Sequence, residues 1–226
     1  MKTYLSIALI ALVPATILAA DSAKDQVAAA AKKLSEQPNY SWKSTVVVPE
    51  SAQFKPGPTE GKTEKDGFTY VTMSFGDNMT EALIKGEKGV ITDREGNWKT
   101  SSELENAEGP GRFLGRMIKN MKAPAAQVSD LLEGTKELKK EGDVYSGELT
   151  EEGVKKQFRF GQAKDPKGSA KFWVKDGMIS KIETKVEGHM EFNGNEFDAS
   201  RTTTTEIKDV GTTKVNPPSD AKKKLE

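Results

Sequence analysis

The chain has 226 residues, enough for one domain or two small ones, and combines 30% charged residues with a mean hydropathy of −0.62. Lys plus Arg and Asp plus Glu both number 34, so the formal net charge of +0 gives no long-range pull on a polyanion and argues against nucleic acid as a partner. There is no cysteine, which removes disulfides, thiol catalysis, cysteine-ligated zinc and iron–sulfur clusters.

At the N-terminus, Lys2 precedes an apolar run over residues 4–18, followed by Ala19-Ala20 and the polar Asp21. This three-part pattern predicts a secretory signal peptide over residues 1–20, and the run is short for a membrane-spanning helix. With no cysteine at the cut, the mature chain has no lipidation site there. The expectation is a soluble protein of the periplasm or cell exterior.

Asp21-Ser22 followed by Asp25 resembles a capping box with Asp in place of Glu, and Val27, Ala30, Ala31 and Leu34 recur at helical spacing. Tyr40, Trp42, Ser44, Val46 and Val48 alternate with their neighbours in a first strand closed by Pro49, and residues 51–59 read as a loop. Residues 61–65 and 68–75 form a hairpin around Asp66-Gly67, and residues 80–85 pair with 90–92 across a glycine-bounded turn. Trp98 belongs to a further short strand, so the first half is a meander.

Helical periodicity then takes over until Gly134. Gly109-Pro110-Gly111 breaks the chain, and Phe113, Leu114, Met117, Ile118 and Met121 follow one face while Arg112, Arg116, Lys119 and Lys122 lie mostly opposite. Pro124 opens the next helix, with Val128, Leu131 and Leu132 inward. A strand over 143–149 and a short helix over 150–158 follow.

Residues 168–211 read as three long strands. Met178, Ile182, Val186, Met190 and Phe192 are apolar while Lys181, Glu183, Lys185, Glu187 and Glu191 are charged, the alternation of a half-buried antiparallel strand. Asn193-Gly194 suits a two-residue turn that pairs Met190 with Phe197, Thr184 with Thr203 and Lys181 with Glu206. At the other turn, a three-residue loop at 175–177 pairs Val174 with Met178 and keeps the alternation intact. Val215 makes a last short strand, and residues 217–226 form a frayed, lysine-rich tail after the domain at 21–216.

Catalytic patterns are sparse. The one histidine, His189, falls on the charged face of its strand, and the carboxylate pairs Glu151-Glu152 and Glu196 with Asp198 read as solvated surface charge. No nucleophile elbow, zinc-protease helix, phosphate loop or calcium loop occurs, so the chain reads as a non-enzyme without cofactor or metal. Two features stand out. Phe113, Met117, Ile118 and Met121, joined by Leu131 and by Met178, Ile182 and Val186 of the sheet, form either a plain core or the wall of an acyl-chain slot, for which flexible methionine is suited. Arg112, Arg116 and Lys119 are either a solvated helix face or a contact for anionic head groups or an acidic partner.

The order of elements carries a resemblance. A helix leads into Asn39-Tyr40-Ser41-Trp42-Lys43; a strand pair holds Ile84-Lys85-Gly86-Glu87-Lys88-Gly89, followed by Trp98 and a helical insertion. The long strands then end in Glu206-Ile207-Lys208-Asp209-Val210-Gly211 and Val215-Asn216-Pro217. This organisation resembles the periplasmic lipoprotein-localisation factors and related lipid-binding lipoproteins (LolA-like). The resemblance implies an α+β fold: a single antiparallel sheet curved as an unclosed β-barrel, with helices covering its concave face. It also implies a cavity for lipid or lipoprotein acyl chains; the expectation is a monomeric carrier with transient membrane contact. The alternative is a non-catalytic envelope module that binds or senses a protein partner.

Overall fold

The computed structural model describes residues 22–52, 55–76, 78–105, 109–158, 163–192 and 194–226; the signal peptide expected at 1–20 lies outside them. Helix α1 (Ala23–Ser35) starts at Ser22, whose hydroxyl accepts from the Asp25 backbone N–H while the Asp25 carboxylate receives the Ser22 N–H, completing the expected capping box. Five strands follow as a meander: β1 (Asn39–Val47), β2 (Thr59–Glu64), β3 (Thr69–Phe75), β4 (Asn78–Lys85) and β5 (Lys88–Thr92). Strand β6 (Trp98–Thr100) runs into helices α2 (Ser101–Glu105), α3 (Pro110–Lys119) and α4 (Pro124–Glu133). A hairpin of β7 (Lys139–Glu141) and β8 (Val144–Glu148), of which sequence indicated only the second strand, precedes α5 (Glu151–Gln157). The long strands are β9 (Ala163–Lys175), β10 (Met178–Phe192), β11 (Asn195–Asp198) and β12 (Arg201–Lys208), and α6 (Ser219–Leu225) ends the chain.

All twelve strands join one antiparallel sheet in the order β6-β5-β4-β3-β2-β1-β12-β10-β9-β8-β7, with β11 extending beside β10. Among the described residues the first and last strands of this order are unpaired on their outer sides, so the barrel is not closed and the α+β expectation holds. The β10–β12 register matches the sequence reading residue for residue: Thr184 faces Thr203, Lys181 faces Glu206, and Met190 faces Phe197 of β11. On the outer face the opposed Lys171 and Glu183 stand 3.4 Å apart, an exposed pair that marks register more than it adds stability.

Three expectations need correction. The turn between β9 and β10 has two residues, Asp176 (φ 54) and Gly177 (φ 73), so Met178 pairs with Lys175. A register shift between Ile179 and Lys181 then sets Ile182 opposite Phe172. Ile179, 1% exposed, joins the core, and Met178 is only half-buried outside it. Residue 215 belongs to no strand. The tail is not frayed: α6 lies against the face of β4 and β5 opposite α3, burying Ala221 and Leu225 on Leu83 and Val90.

The main core lies on the inner face, where residues from α1, α2, α3, α4, α5 and eight of the strands form one continuous apolar cluster. The continuous run Ala82-Leu83 opposite Val90-Ile91 explains how β4 and β5 are covered on both sides. Ala82 and Ile91 face the main core, and Leu83 and Val90 face α6.

Candidate functional site

The inner face is built in rows across the strands. One row runs Ile207–Trp42–Gly61–Val71–Ala82–Ile91, each residue opposite the next. Beside it runs Tyr40–Thr63–Thr69–Ile84–Gly89, and on its other side Ile182–Thr205–Ser44–Thr59–Met73–Thr80. The first row is apolar apart from the indole nitrogen. The outer two carry short hydroxyl side chains, with Ser44 and Thr205 bonded to each other at 2.6 Å. Tyr40 is 2% exposed, and burial pushes its phenol up even though the hydroxyl accepts from the Ala125 N–H and meets Thr63. That bond ties the start of α4 to the middle of the sheet.

Helices rest on the sheet mainly at its flanks: α1 on β10 and β9, α5 on β9, α2 on β5 and β6, and α3 on β5. Helix α4 packs on α1. Lys24 of α1 donates to the Leu132 carbonyl at 3.0 Å and to that of Thr135, supplying a cation to the carbonyls that end α4. Helix α3 is held differently. It starts at Gly109 (φ 59) without a side-chain cap and seats Ile118 on Gly89, where a Cβ would stand 2.5 Å from Ile118 Cγ1. Only glycine at 89 permits so close an approach.

The predicted lining residues divide between two fates. Met117 (8% exposed), Ile118 and Leu131 are buried, Leu131 on the helix that packs on α1, and Met121 is half-buried against the same core. Ile182 and Val186 are buried on β10, where α1 packs. Val186 pairs with Gly168, whose missing side chain leaves space for Leu149 and Val154. Phe113 is 37% exposed and lies at the outer shoulder of α3, so the buried stripe is Leu114, Met117, Ile118 and Met121. Arg112, Arg116 and Lys119 are exposed together; Lys119 pairs with Glu105 at 3.2 Å, and neither arginine has an ion pair among the described residues.

Sequence reasoning overlooked Trp42, Tyr40, Gly61 and Gly89 as interior site residues. The available signal was a glycine inside each of two strands, which marks a close approach by another group. Two clefts lie away from α3 and α4, of about 570 Å³ beside His189, Asp198 and Arg201, and of about 400 Å³ under α6 between Phe68, Lys85, Lys88 and Lys222. His189 is exposed across from Asp198, whose carboxyl is held below the usual range by the Ser200 hydroxyl and backbone N–H. Glu151 is exposed and paired with Lys155 at 2.6 Å. Among the described residues no group of three or more His, Asp or Glu could hold a metal, and no helix is long and apolar enough to cross a membrane.

No protein-family model matches the chain, and no curated protein matches it in sequence. Among solved structures it is similar to the lipoprotein LppX of Mycobacterium tuberculosis, with a TM-score of 0.52 at 10% identity over 86% of this chain and 97% of that one. LprF of Mycobacterium bovis matches at a TM-score of 0.45 and 11% identity, over 88% of this chain and 97% of that one. A LolA superfamily protein of Nitrosomonas europaea matches at 0.38 and 12%, over 87% and 96%. The architecture that the sequence resemblance implied, an unclosed antiparallel barrel with helices over one face, is the fold of this chain, and LppX shares it.

Proposed function

We propose that the protein is an exported, non-catalytic carrier that holds acyl chains of a lipid or lipoprotein between the inner face of the sheet and the helices above it. The observation that carries the reading is the way α3 is held: without a side-chain cap at its start, with Met117 buried and Ile118 seated on Gly89 of β5, where the apolar row that crosses the middle strands ends. The fold shared with a lipoprotein, and the leader expected at residues 1–20, support an extracytoplasmic setting.

The energetics favour opening by a chain. At about 0.8 kcal/mol per buried methylene, a 16-carbon chain supplies roughly 12 kcal/mol gross, against about 3–6 kcal/mol held by burial of Met117 and Ile118 together. Met121 and Leu114, half-buried beside them, are placed to follow the ligand. Native mass spectrometry of the mature protein, purified without detergent from its own compartment, tests this. Co-purifying acyl-chain masses, emptied by Met117→Asp, support the carrier. An apo mass that takes up no added lipid sinks it. In that case the exposed Arg112 and Arg116 favour the envelope-interaction module, with partner binding lost on their charge reversal.

A further inference from the structure

Two buried polar atoms lack a hydrogen-bond partner among the described residues, Asn39 Oδ1 and Trp42 Nε1. Asn39 alternates to the opposite face of β1, whereas Trp42 is 5% exposed within the apolar row beneath the helices. A buried N–H without an acceptor forfeits the hydrogen bonds it makes to water in the unfolded chain. The ring is not free to turn toward one. Trp42 pairs with Gly61, and a Cβ at 61 would stand 2.1, 2.2 and 2.5 Å from its Cε2, Cζ2 and Nε1, so the indole lies flat on the β2 backbone. Neighbouring polar groups on this face are satisfied, Tyr40 by the Ala125 N–H and Ser44 by Thr205.

We infer that Trp42 is the polar anchor for a neutral, ester-linked acyl ligand: the indole N–H donates to the ester carbonyl oxygen while the chain runs along Val71, Ala82 and Ile91. This rests on the carrier reading and names its ligand class. A neutral carbonyl needs one donor and no countercharge. A free carboxylate would bring a charge into a row that holds no cation, since Arg112, Arg116 and Lys119 are exposed on α3. Esters are therefore preferred to free fatty acids of the same length.

The test uses the mature protein labelled with ¹⁵N at its three tryptophan indoles, titrated separately with monopalmitoylglycerol, palmitate and hexadecane. The signal missing from Trp42→Phe identifies the Trp42 N–H. That proton moves downfield with the ester and stays in place with hexadecane, and Trp42→Phe weakens the ester roughly tenfold more than it weakens hexadecane. Ester uptake with the Trp42 signal unmoved, or palmitate bound as tightly as the ester, overturns the anchor and leaves the carrier standing. Uptake of none of the three overturns both. If Trp42→Phe does not fold, Trp98→Phe and Trp173→Phe assign the other two indoles and leave the third signal to Trp42, and the three titrations then decide the matter.

Discussion

Shortening Ile118 to alanine separates a lid from a core. Ile118 is 3% exposed and rests directly over Gly89, so its loss costs about 2–5 kcal/mol if the surroundings stay rigid. Where that cost falls depends on how α3 opens. Helix α3 lacks a side-chain cap and is joined to the sheet chiefly along β5. As a separate opening unit it absorbs the whole penalty, and its amides lose protection by roughly 30-fold even for 2 kcal/mol, while β9 and β10 keep theirs. Hydrogen exchange read by mass spectrometry on Ile118→Ala measures both segments in one experiment. If β9 and β10 lose protection by the same factor as α3, the helix and sheet unfold together, and the idea of a lid that yields to a ligand is wrong.

Leu225→Ala lowers stability in urea by about 2 kcal/mol, because the side chain is buried on Leu83 and Val90; an unchanged midpoint would show that α6 contributes no packing. Glu103 accepts from Lys224 of α6 and from the N–H and hydroxyl of Thr100, which hold its carboxyl down at about 2 from an ordinary 4.5. A depressed carboxylate stabilises above its unfolded value and stops doing so as pH falls through the folded one. The link between α2 and α6 therefore weakens from pH 4.5 toward 2, Glu103→Gln removes that dependence, and a ¹³C-detected carboxyl midpoint near 4.5 would contradict the geometry.

Where hydrophobic phase and turn chemistry agreed, sequence reached atomic register. The Gly194 turn fixes Met190 against Phe197, and every other pair of β10 with β12 follows from it. Where they disagreed, phase was the wrong guide. Unbroken alternation required a longer loop before Met178, but Asp176 and Gly177 both adopt positive φ and make the tight turn, and the strand repairs its phase at Ser180. A bulge leaves no mark in composition; its reward is the burial of Ile179, a tertiary effect. The docked tail was hidden for a similar reason. Ala221 and Leu225 are a thin apolar signal among three lysines, and they count only because Leu83 and Val90 await them on a distant strand pair. The helical stripe was legible to within one residue, Phe113, which stays exposed at the shoulder of α3 while Leu114, Met117, Ile118 and Met121 join the core.

The strand order of the unclosed sheet ends at two borders, β6 and β7, and each is three residues long. Open rims of unpaired amides invite neighbouring molecules to add strand upon strand. Here one border is Lys139-Lys140-Glu141, exposed at every position, and at the other the chain leaves Thr100 to enter α2 at once. An incoming strand would find few bonds to make and two lysines and a glutamate to desolvate. Short, charged or helix-terminated borders of this kind offer a neighbouring molecule little to extend, so the barrel can stay open without becoming a template.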